Sequence, residues 1–356
     1  MTTLRLGLAG YGLVGERHAA ALAATPGVEL AVVVEPLGTA GAKVAAIGLS
    51  HRTTLEEALE RDALDGIILA TPNALHVEQA RACIVAGCPV LIEKPIATSA
   101  AEARDLVAEA ERREVPILVG HHRRHNPIIQ QARKIVEEGR IGEVRGVQAT
   151  CWFYKPDAYF EAAPWRRQSG AGPISVNLVH DVDLLRYLCG DVRSVRAIAR
   201  PARRGGENED LASALLDFEN GAVGTISVSD SIVSPWSWEM TSGEYPIYPR
   251  TPVSCYQLGG THGALSLPDL KVWTHLDGQR DWWTPMTASC EIRENSDPLT
   301  SQIAHFAAVI RGQARPLVSG LEGVRTLEVI EAIQNSARTG ETVMLGEGAS
   351  EIAALP

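Results

Sequence analysis

Three glycines near the start of the chain constrain its fold more than any other feature. The apolar segment Leu4–Ala9 runs into a G-x-G-x-x-G pattern over residues 10–15, and a helical pattern follows over residues 16–24. Glycines at this spacing allow a tight turn, close approach of the main chain to a pyrophosphate, and close packing of the helix on the strand. The N–H groups and dipole of the helix start would favour the phosphates. We expect a dinucleotide to bind at Gly10, Tyr11, Gly12, Leu13, Val14 and Gly15.

A carboxylate follows the second predicted strand at a spacing typical of dinucleotide binding. The apolar segment Val28–Val34 ends in Glu35, which stands about 20 residues after Gly15. An acid at this position accepts hydrogen bonds from the ribose hydroxyls of the adenosine and repels a 2′-phosphate. Positions 36–42 hold no Arg or Lys to receive such a phosphate. We therefore expect NAD(H), with NADP(H) less favoured. For the strand, glycine turn, helix and acid together, the alternative is a glycine-rich turn that binds no ligand.

Composition and charge exclude several classes of protein. A chain of 356 residues is longer than most single domains, so two domains are expected. The net charge of −10 argues against a nucleic-acid partner or an anionic membrane surface. We expect neither a signal segment nor a membrane span, since no apolar run is long enough. The six cysteines form no C-x-x-C pair, which argues against a disulfide framework or zinc site and favours a cytoplasmic protein.

Strand-like and helix-like segments alternate as far as about residue 120. The alternation predicts an α/β fold with a parallel, doubly wound sheet, whose ligand crevice lies beyond the carboxyl ends of its strands. Thr71-Pro72-Asn73 and Glu93-Lys94-Pro95 fall at two such ends. Helix starts are predicted at Thr54, Ser99 and Ser319, because each is followed three residues later by a glutamate.

The pattern changes after His122. Strand-like segments joined by short turns, one of them the hairpin signal Asn220-Gly221, predict an antiparallel sheet. Residues 231–250 and 275–296 have no assignable pattern. Two helices close the chain, and the first has an apolar stripe within residues 303–310.

Several motifs in a fixed order carry a resemblance to a known family. Besides the glycine turn, they are Thr71-Pro72-Asn73 with His76, Glu93-Lys94-Pro95, Trp165-Arg166 and His180-x-x-Asp183. In their order and spacing, over essentially the whole length, the chain resembles the Gfo/Idh/MocA oxidoreductases, the family of glucose–fructose oxidoreductase and inositol dehydrogenase.

The resemblance implies a Rossmann domain that binds a nicotinamide cofactor, over residues 1–122. It also implies an α/β domain for substrate and oligomerisation, with an open, mostly antiparallel sheet, over residues 123–356; the last helices would pack on the first domain. Members of the family oxidise or reduce a carbinol carbon, usually of a sugar or cyclitol, and commonly associate through that sheet as a homodimer or homotetramer. The implied cofactor contacts beyond the glycine turn and Glu35 are Thr71, Pro72, Asn73, His76, Glu93, Lys94 and His122.

Lys94 and His180 are the candidate catalytic residues. Oxidation of a secondary alcohol needs a base for the hydroxyl proton and stabilisation of the developing alkoxide. Lys94 stands at a strand end and matches the catalytic lysine of the family, while Pro95 matches its cis proline. His180 could act as the base, or it could bind the reacting hydroxyl while Lys94 moves the proton.

The chain departs from the inositol dehydrogenase pattern within the helix of His180. That subgroup has an aspartate four residues before the histidine, where this chain has Val176. Asn177 can form hydrogen bonds but carries no proton at neutral pH, so a Lys94–His180 pair is favoured over a Lys–Asp–His relay. Asn177, His180 and Asp183 are spaced to share one side of the helix. No third metal ligand is recognisable beside His180 and Asp183, so no metal is expected.

Substrate contacts are expected from an aromatic-rich loop and from the end of the first domain. Aromatic faces beside a guanidinium suit a polyol or a carboxylate-bearing substrate, although such a loop could instead serve subunit contact. His122 belongs to the basic run 121–127, for which a solvated linker is the alternative. The expected substrate residues are His122, Tyr154, Trp165, Arg166, Asn177 and Asp183, with Lys155 and Tyr159 on or near the same loop.

Two other functions and one assembly stay open at this point. The first is an NAD-dependent hydrolase or dehydratase that oxidises its substrate only transiently. The second is a non-enzymatic NAD-binding regulator, against which the presence of Lys94 and His180 argues. Self-association through the second sheet is expected because one strand alternates apolar residues on a face that needs cover: Ala212, Ala214, Leu216 and Phe218.

Overall fold

The computed structural model describes residues 2–36, 38–292, 294 and 296–346. These residues form two compact units. The first unit takes residues up to 126 together with 296–327, and the second takes 127–294 together with 328–346. The domain boundaries 1–122 and 123–356 stay a prediction.

The described part of the first unit contains a parallel sheet of six strands in the order β3-β2-β1-β4-β5-β6. This is the doubly wound order expected of a dinucleotide-binding sheet. Its strands are β1 Leu4–Ala9, β2 Val28–Val34, β3 His51–Arg52, β4 Gly66–Leu69, β5 Val90–Ile92 and β6 Ile117–Val119. Its helices are α1 Leu13–Ala24, α2 Gly38–Ala46, α3 Leu55–Arg61, α4 His76–Val85 and α5 Ala100–Arg112.

Two inner strands of the first sheet are deeply buried. β4 and β5 are buried at every position, which explains their continuous apolar runs. The predicted helix starts have the expected caps: the hydroxyls of Thr54, Ser99 and Ser319 each accept a hydrogen bond from the main-chain N–H three residues later, at 3.3 Å.

The second unit begins with a helix and holds a mixed sheet. Its described helices are α6 Pro127–Glu137, α7 Asp157–Glu161, α8 Val179–Cys189 and α9 Trp238–Thr241. Its strands are β7 Val144–Trp152, β8 Val192–Pro201, β9 Glu209–Phe218, β10 Val223–Ser229, β11 Tyr256–Gly260, β12 Gly263–Leu267, β13 Lys271–His275 and β14 Met286–Cys290. The chain then continues through α10 Pro298–Ile310 of the first unit, α11 Gly320–Thr339 and β15 Val343–Met344.

The second sheet confirms the expectation of a mostly antiparallel arrangement. Its strands follow the order β14-β13-β12-β11-β7-β10-β9-β8-β15 within the described ranges. β7 and β10 pair in parallel, and the other neighbouring pairs run antiparallel. The two stretches without an assignable pattern contribute α9 and β14. Both elements are short, so a sequence period could not reveal them.

The apolar stripe of β9 faces the core of its own unit, which corrects the reason given for self-association. Ala212, Ala214, Leu216 and Phe218 are buried in this core. The opposite face of the sheet is the one left open. On it, Ile198, Leu215 and Val223 are 60%, 48% and 48% exposed, and their pairing register places them on one side of three neighbouring strands.

The glycine turn of the first unit has three distinct local requirements. Gly10 has a φ of +89°, a conformation that favours glycine, and a Cβ there would lie 2.6 Å from the Ala70 carbonyl oxygen. A Cβ on Gly15 would collide with the carbonyl oxygen of Gly10. A Cβ on Gly12 would meet no described atom within 4 Å. The protein itself therefore requires Gly10 and Gly15, whereas only a ligand would require Gly12.

This contrast predicts different outcomes for two substitutions. Gly15→Ala should lower both the Tm and the affinity for NADH, because the methyl group forces helix α1 away from the turn. Gly12→Ala should leave the Tm within about 1 °C of wild type, while it lowers NADH affinity about tenfold or more by occupying the space of the ligand. Thermal unfolding and NADH titration of both variants test this. A Gly12→Ala variant that binds NADH like wild type would contradict the assignment of this turn.

Candidate active site

Glu35 lies beside the glycine turn, as its spacing predicts. Its carboxylate oxygen Oε2 accepts a hydrogen bond of 2.9 Å from the main-chain N–H of Tyr11. Helix α1 begins at the same place with Gly12 as its N-cap, and no side chain of the described residues caps it. Leu13 and Val14 at its first turn are exposed. An uncapped helix start, an open glycine and an acid within one unit fit the pyrophosphate and ribose of a dinucleotide.

A buried hydrogen bond joins helix α1 to the end of strand β5, a link that sequence reasoning missed. His18 Nε2 lies 2.7 Å from Glu93 Oε1, and both side chains are buried. The other carboxylate oxygen of Glu93 accepts a hydrogen bond of 3.2 Å from the main-chain N–H of Lys94. The Glu93 side chain therefore supports the turn that carries Lys94, and its expected contact with the cofactor stays a prediction. His18 gave no sequence signal beyond its place in α1.

The charges around Glu93 keep it ionised. Burial by itself would raise the pKa of this carboxyl, but the hydrogen bond from His18 and the positive charge of that ring oppose it. The charges of His122 and Lys94 act in the same direction, and the pKa of Glu93 falls to about 2. The first unit therefore brings Lys94 and His122 together around one buried carboxylate.

Lys94 stands where the sequence predicts it, directly after β5. The Lys94–Pro95 peptide bond is cis, as the family resemblance implies. The Lys94 side chain is partly exposed, so a ligand can reach it.

His76, a predicted cofactor contact, has a fully buried side chain. Its Nδ1 lies 2.8 Å from the carbonyl oxygen of Pro95, and its Nε2 lies 3.0 Å from that of Thr71. A ring enclosed between two main-chain carbonyls helps to position the segments after β4 and β5, and its expected place beside the cofactor stays a prediction. Pro72 and Asn73 lead into a short 3₁₀ turn and stay predicted contacts.

The basic run after β6 is not a solvated linker. His122 is partly exposed, but His121, Arg123, Arg124 and His125 are buried. Arg124 donates to the carboxylate of Glu322 at 2.8 Å within the first unit. The local sequence is strongly charged, and the ion pair of Arg124 with the distant Glu322 is one reason why the run folds inward.

In the second unit, a π-helical segment over Ile174–Leu178 leads directly into α8. It carries Asn177, and α8 carries His180 and Asp183; all three side chains are buried. The 3.6-residue period behind their predicted shared side does not hold through a π segment. Asp183 is only 1% exposed, and its expected contact with substrate stays a prediction.

The second unit has a charged cluster of its own, which surrounds Lys155. The sequence did not indicate the partners of Lys155. The Lys155 ammonium donates to Asn177 Oδ1 at 2.7 Å and lies 3.7 Å from Asp230 Oδ2. Burial lowers the pKa of Lys155, and burial likewise raises the pKa of Asp230. Asp230 also pairs with Arg204 at 3.4 Å. The environment therefore works against both charges of the Lys155–Asp230 pair, while their mutual attraction favours them.

The aromatic loop is built around Arg166. Its guanidinium lies 3.9 Å from the ring centre of Tyr159, and its Nη1 donates to the Tyr159 carbonyl oxygen at 2.6 Å. Trp165 and Tyr154 are both about half exposed, and each could contact a ligand. Their roles, like that of Arg166, stay predictions.

The described residues contain neither a metal-binding cluster nor a membrane-spanning helix. No group of three or more His, Cys, Asp or Glu side chains in the described part of the chain could hold a metal ion. None of the described helices has the length and apolarity needed to span a membrane.

Comparisons with known proteins match both units of the chain. The family described as "Oxidoreductase family, NAD-binding Rossmann fold" matches residues 4–121, and the GFO/IDH/MocA C-terminal domain matches residues 129–265. Inositol 2-dehydrogenase 2 of Saccharopolyspora erythraea is 31% identical over 350 residues, which cover 96% of this chain and 95% of that protein. The rhizopine catabolism protein MocA of Rhizobium meliloti is 31% identical over 234 residues, covering 64% of this chain and 72% of that protein.

A solved structure agrees with these relatives. The WlbA dehydrogenase from Bordetella pertussis, in complex with NADH and UDP-GlcNAcA, has a TM-score of 0.77 and 28% identity, and the match covers 97% of this chain and 99% of that one. The two family matches and the full-length relative agree with the glycine turn and doubly wound sheet of a Rossmann fold. The chain belongs to the Gfo/Idh/MocA family of NAD-binding oxidoreductases.

Proposed function

We propose that this oxidoreductase transfers a hydride between NAD(H) and a carbinol carbon of a sugar, cyclitol or related hydroxylated small molecule, with Lys94 and His180 handling the proton. The observation that carries the proposal is the group of Lys94, Glu93 and His122 at the strand ends of the unit that holds the glycine turn. The similarity to an inositol dehydrogenase, and to a dehydrogenase solved with NADH and a sugar nucleotide, supports this class of substrate.

The chemistry divides between the cofactor and the chain. A bound nicotinamide accepts the hydride when a carbinol becomes a carbonyl. The hydroxyl proton must then leave, and the proposed acceptor is the Lys94 amine, which the N–H···Glu93 bond and the cis peptide hold at the end of β5. His180 binds the same hydroxyl or takes its proton in turn. Because Val176 stands at the position of the relay aspartate, the proposal has two proton-handling residues rather than three.

We predict that Lys94→Ala lowers kcat by on the order of 10²–10⁴-fold, the range of general acid–base catalysis. His180→Ala should lower kcat and also raise KM, because it removes a hydrogen bond to the reacting hydroxyl. The measurement is NADH absorbance with NAD⁺ and a panel of cyclitols, sugars and sugar acids. The exposed Lys134→Ala variant is the control for loss of a lysine.

Three results bear on this proposal and its alternatives. Near-normal turnover by Lys94→Ala would show that the proposed proton acceptor is wrong. Product formation by wild type without net NADH would favour a hydrolase or dehydratase that oxidises its substrate transiently. Losses in the double variant that fall well short of the product of the single losses would show that the two residues act as one unit.

We also propose that Glu35 sets a preference for NAD(H) over NADP(H). Glu35→Gln keeps an oxygen for the Tyr11 N–H and removes the negative charge, so it separates repulsion of a 2′-phosphate from support of the turn. The ratio of the NADPH and NADH Kd values should fall about tenfold or more in Glu35→Gln. Glu35→Ala should show the same change in the ratio together with weaker binding of both cofactors. Equal binding of NADH and NADPH by wild type would refute this role.

The proposed assembly is a homodimer or homotetramer formed through the open face of the second sheet. Ile198, Leu215 and Val223 present an exposed apolar surface there, and association would remove it from water. Leu215→Glu should shift the protein toward monomers in sedimentation velocity at micromolar concentration. Ile47→Glu changes an equally exposed apolar residue of the first unit and should leave the mass unchanged. A monomeric wild type at that concentration would rule the assembly out.

A further inference from the structure

The contact between Lys155 and Asn177 fixes which way the asparagine amide points. Lys155 Nζ lies 2.7 Å from Asn177 Oδ1, and Lys155 is only 6% exposed. An ammonium group has three donors and no acceptor, so the amide atom facing it must be the oxygen. The NH2 group of Asn177 is therefore directed away from Lys155.

This NH2 group has no partner of its own among the described residues. The one hydrogen bond of the Asn177 side chain is that from Lys155, and the residue keeps 9% of its surface accessible. An amide N–H group that keeps accessible surface can donate to water in the free protein and to a ligand that takes the place of that water.

Lys155 is itself held in place from several sides. Its main-chain N–H donates to the Asp230 carbonyl oxygen at 2.9 Å, while the Asp230 carboxylate faces its ammonium. The ring centre of Tyr159 lies 5.3 Å from the same ammonium. Burying a charged group costs free energy unless partners compensate for the lost hydration. The ion pair with Asp230, the ring of Tyr159 and the oxygen of Asn177 provide this compensation for Lys155.

The backbone that carries Asn177 is anchored independently. The carboxylate of Glu209 accepts a hydrogen bond of 2.9 Å from the N–H of Ile174, the first residue of the π segment. Gly172 leaves the space for this carboxylate, since a Cβ there would collide with it. The main chain and the amide of Asn177 are thus fixed by different side chains, three residues before His180.

We propose that Lys155 is a positioning residue that makes Asn177 a dedicated hydrogen-bond donor to an acceptor oxygen of the substrate. This inference rests on the proposed function, since it assigns Asn177 to the same substrate site. An aspartate one position earlier, as in the inositol dehydrogenase pattern, would accept a hydrogen bond from a hydroxyl. Asn177 instead donates, and so selects a hydroxyl that accepts, a carbonyl or a carboxylate.

The kinetic test uses myo-inositol, D-glucose and D-glucuronate, each with NAD⁺ and the full-length protein. Lys155→Met keeps the length of the side chain but removes its donors, and Asn177→Asp keeps the bond from Lys155 but removes the NH2 group. Both should raise KM by about three- to tenfold with kcat changed much less, because one substrate hydrogen bond is lost or misdirected. Lys134→Met, an exposed lysine of the same unit, should leave both constants unchanged.

A double variant separates positioning from a direct contact. If Lys155 acts through Asn177, Lys155→Met should add nothing to the KM of Asn177→Ala. Additive effects, or KM values within twofold of wild type in Lys155→Met and Asn177→Asp, would overturn the inference. Asn177→Asp retains the whole ion cluster, so it keeps the test valid if Lys155→Met fails to fold.

A spectroscopic test makes failure of this inference distinct from failure of the proposed function. The chain has seven asparagines, and ¹⁵N labelling of asparagine would resolve the side-chain NH2 signal of Asn177, identified by its loss in Asn177→Asp. This signal should shift in Lys155→Met and stay in place in Lys134→Met. An unshifted signal overturns the inference whatever the kinetics. If wild type turns over none of the three compounds, the proposed substrate class fails, and the shift alone decides the role of Lys155.

Discussion

A buried hydrogen bond between His18 and Glu93 links the helix after the glycine turn to the turn that carries Lys94. His18 lies on helix α1, which starts at the glycine turn, and Glu93 follows strand β5 directly before Lys94. Gly120 keeps this contact close, since a Cβ there would lie 2.9 Å from the Glu93 carboxylate. Helix α1 and the Lys94 turn therefore cannot shift independently without separating a buried acid from its partner, which is costly.

Much of this unit could be predicted because its requirements are local. The glycine spacing, the capping residues and the continuous apolar strands each depend on neighbours within a few residues, and the structure confirms each of them. The order of the parallel strands then follows from general rules of chain topology. Glu35 lies beside the glycine turn because β1 and β2 are parallel neighbours, so both strands end at the same edge of the sheet.

The second unit was less predictable because its important contacts join distant residues. Asp230 pairs with Lys155 across 75 positions of the chain, and no pattern near either residue marks the pair. The stripe of β9 shows a related limit. The alternating apolar residues of β9 correctly predict that one face of the strand is buried. They do not indicate whether a helix of the same unit or another subunit covers that face. Here the unit's own core covers it, and the less apolar face is open.

The two charged clusters, around Glu93 and around Lys155, differ in how burial and neighbouring charges affect the pKa of their central group. Around Glu93, neighbouring positive groups outweigh burial, so a carboxylate stays ionised at neutral pH and can hold a main-chain N–H and an imidazole at fixed positions. Around Lys155, burial lowers the pKa of the amine, and the negative charge of Asp230 opposes this effect. The Glu93 carboxylate is therefore a stable hydrogen-bond acceptor for its neighbours. The geometry around Lys155 depends more on its partners, and Asn177 is one of them.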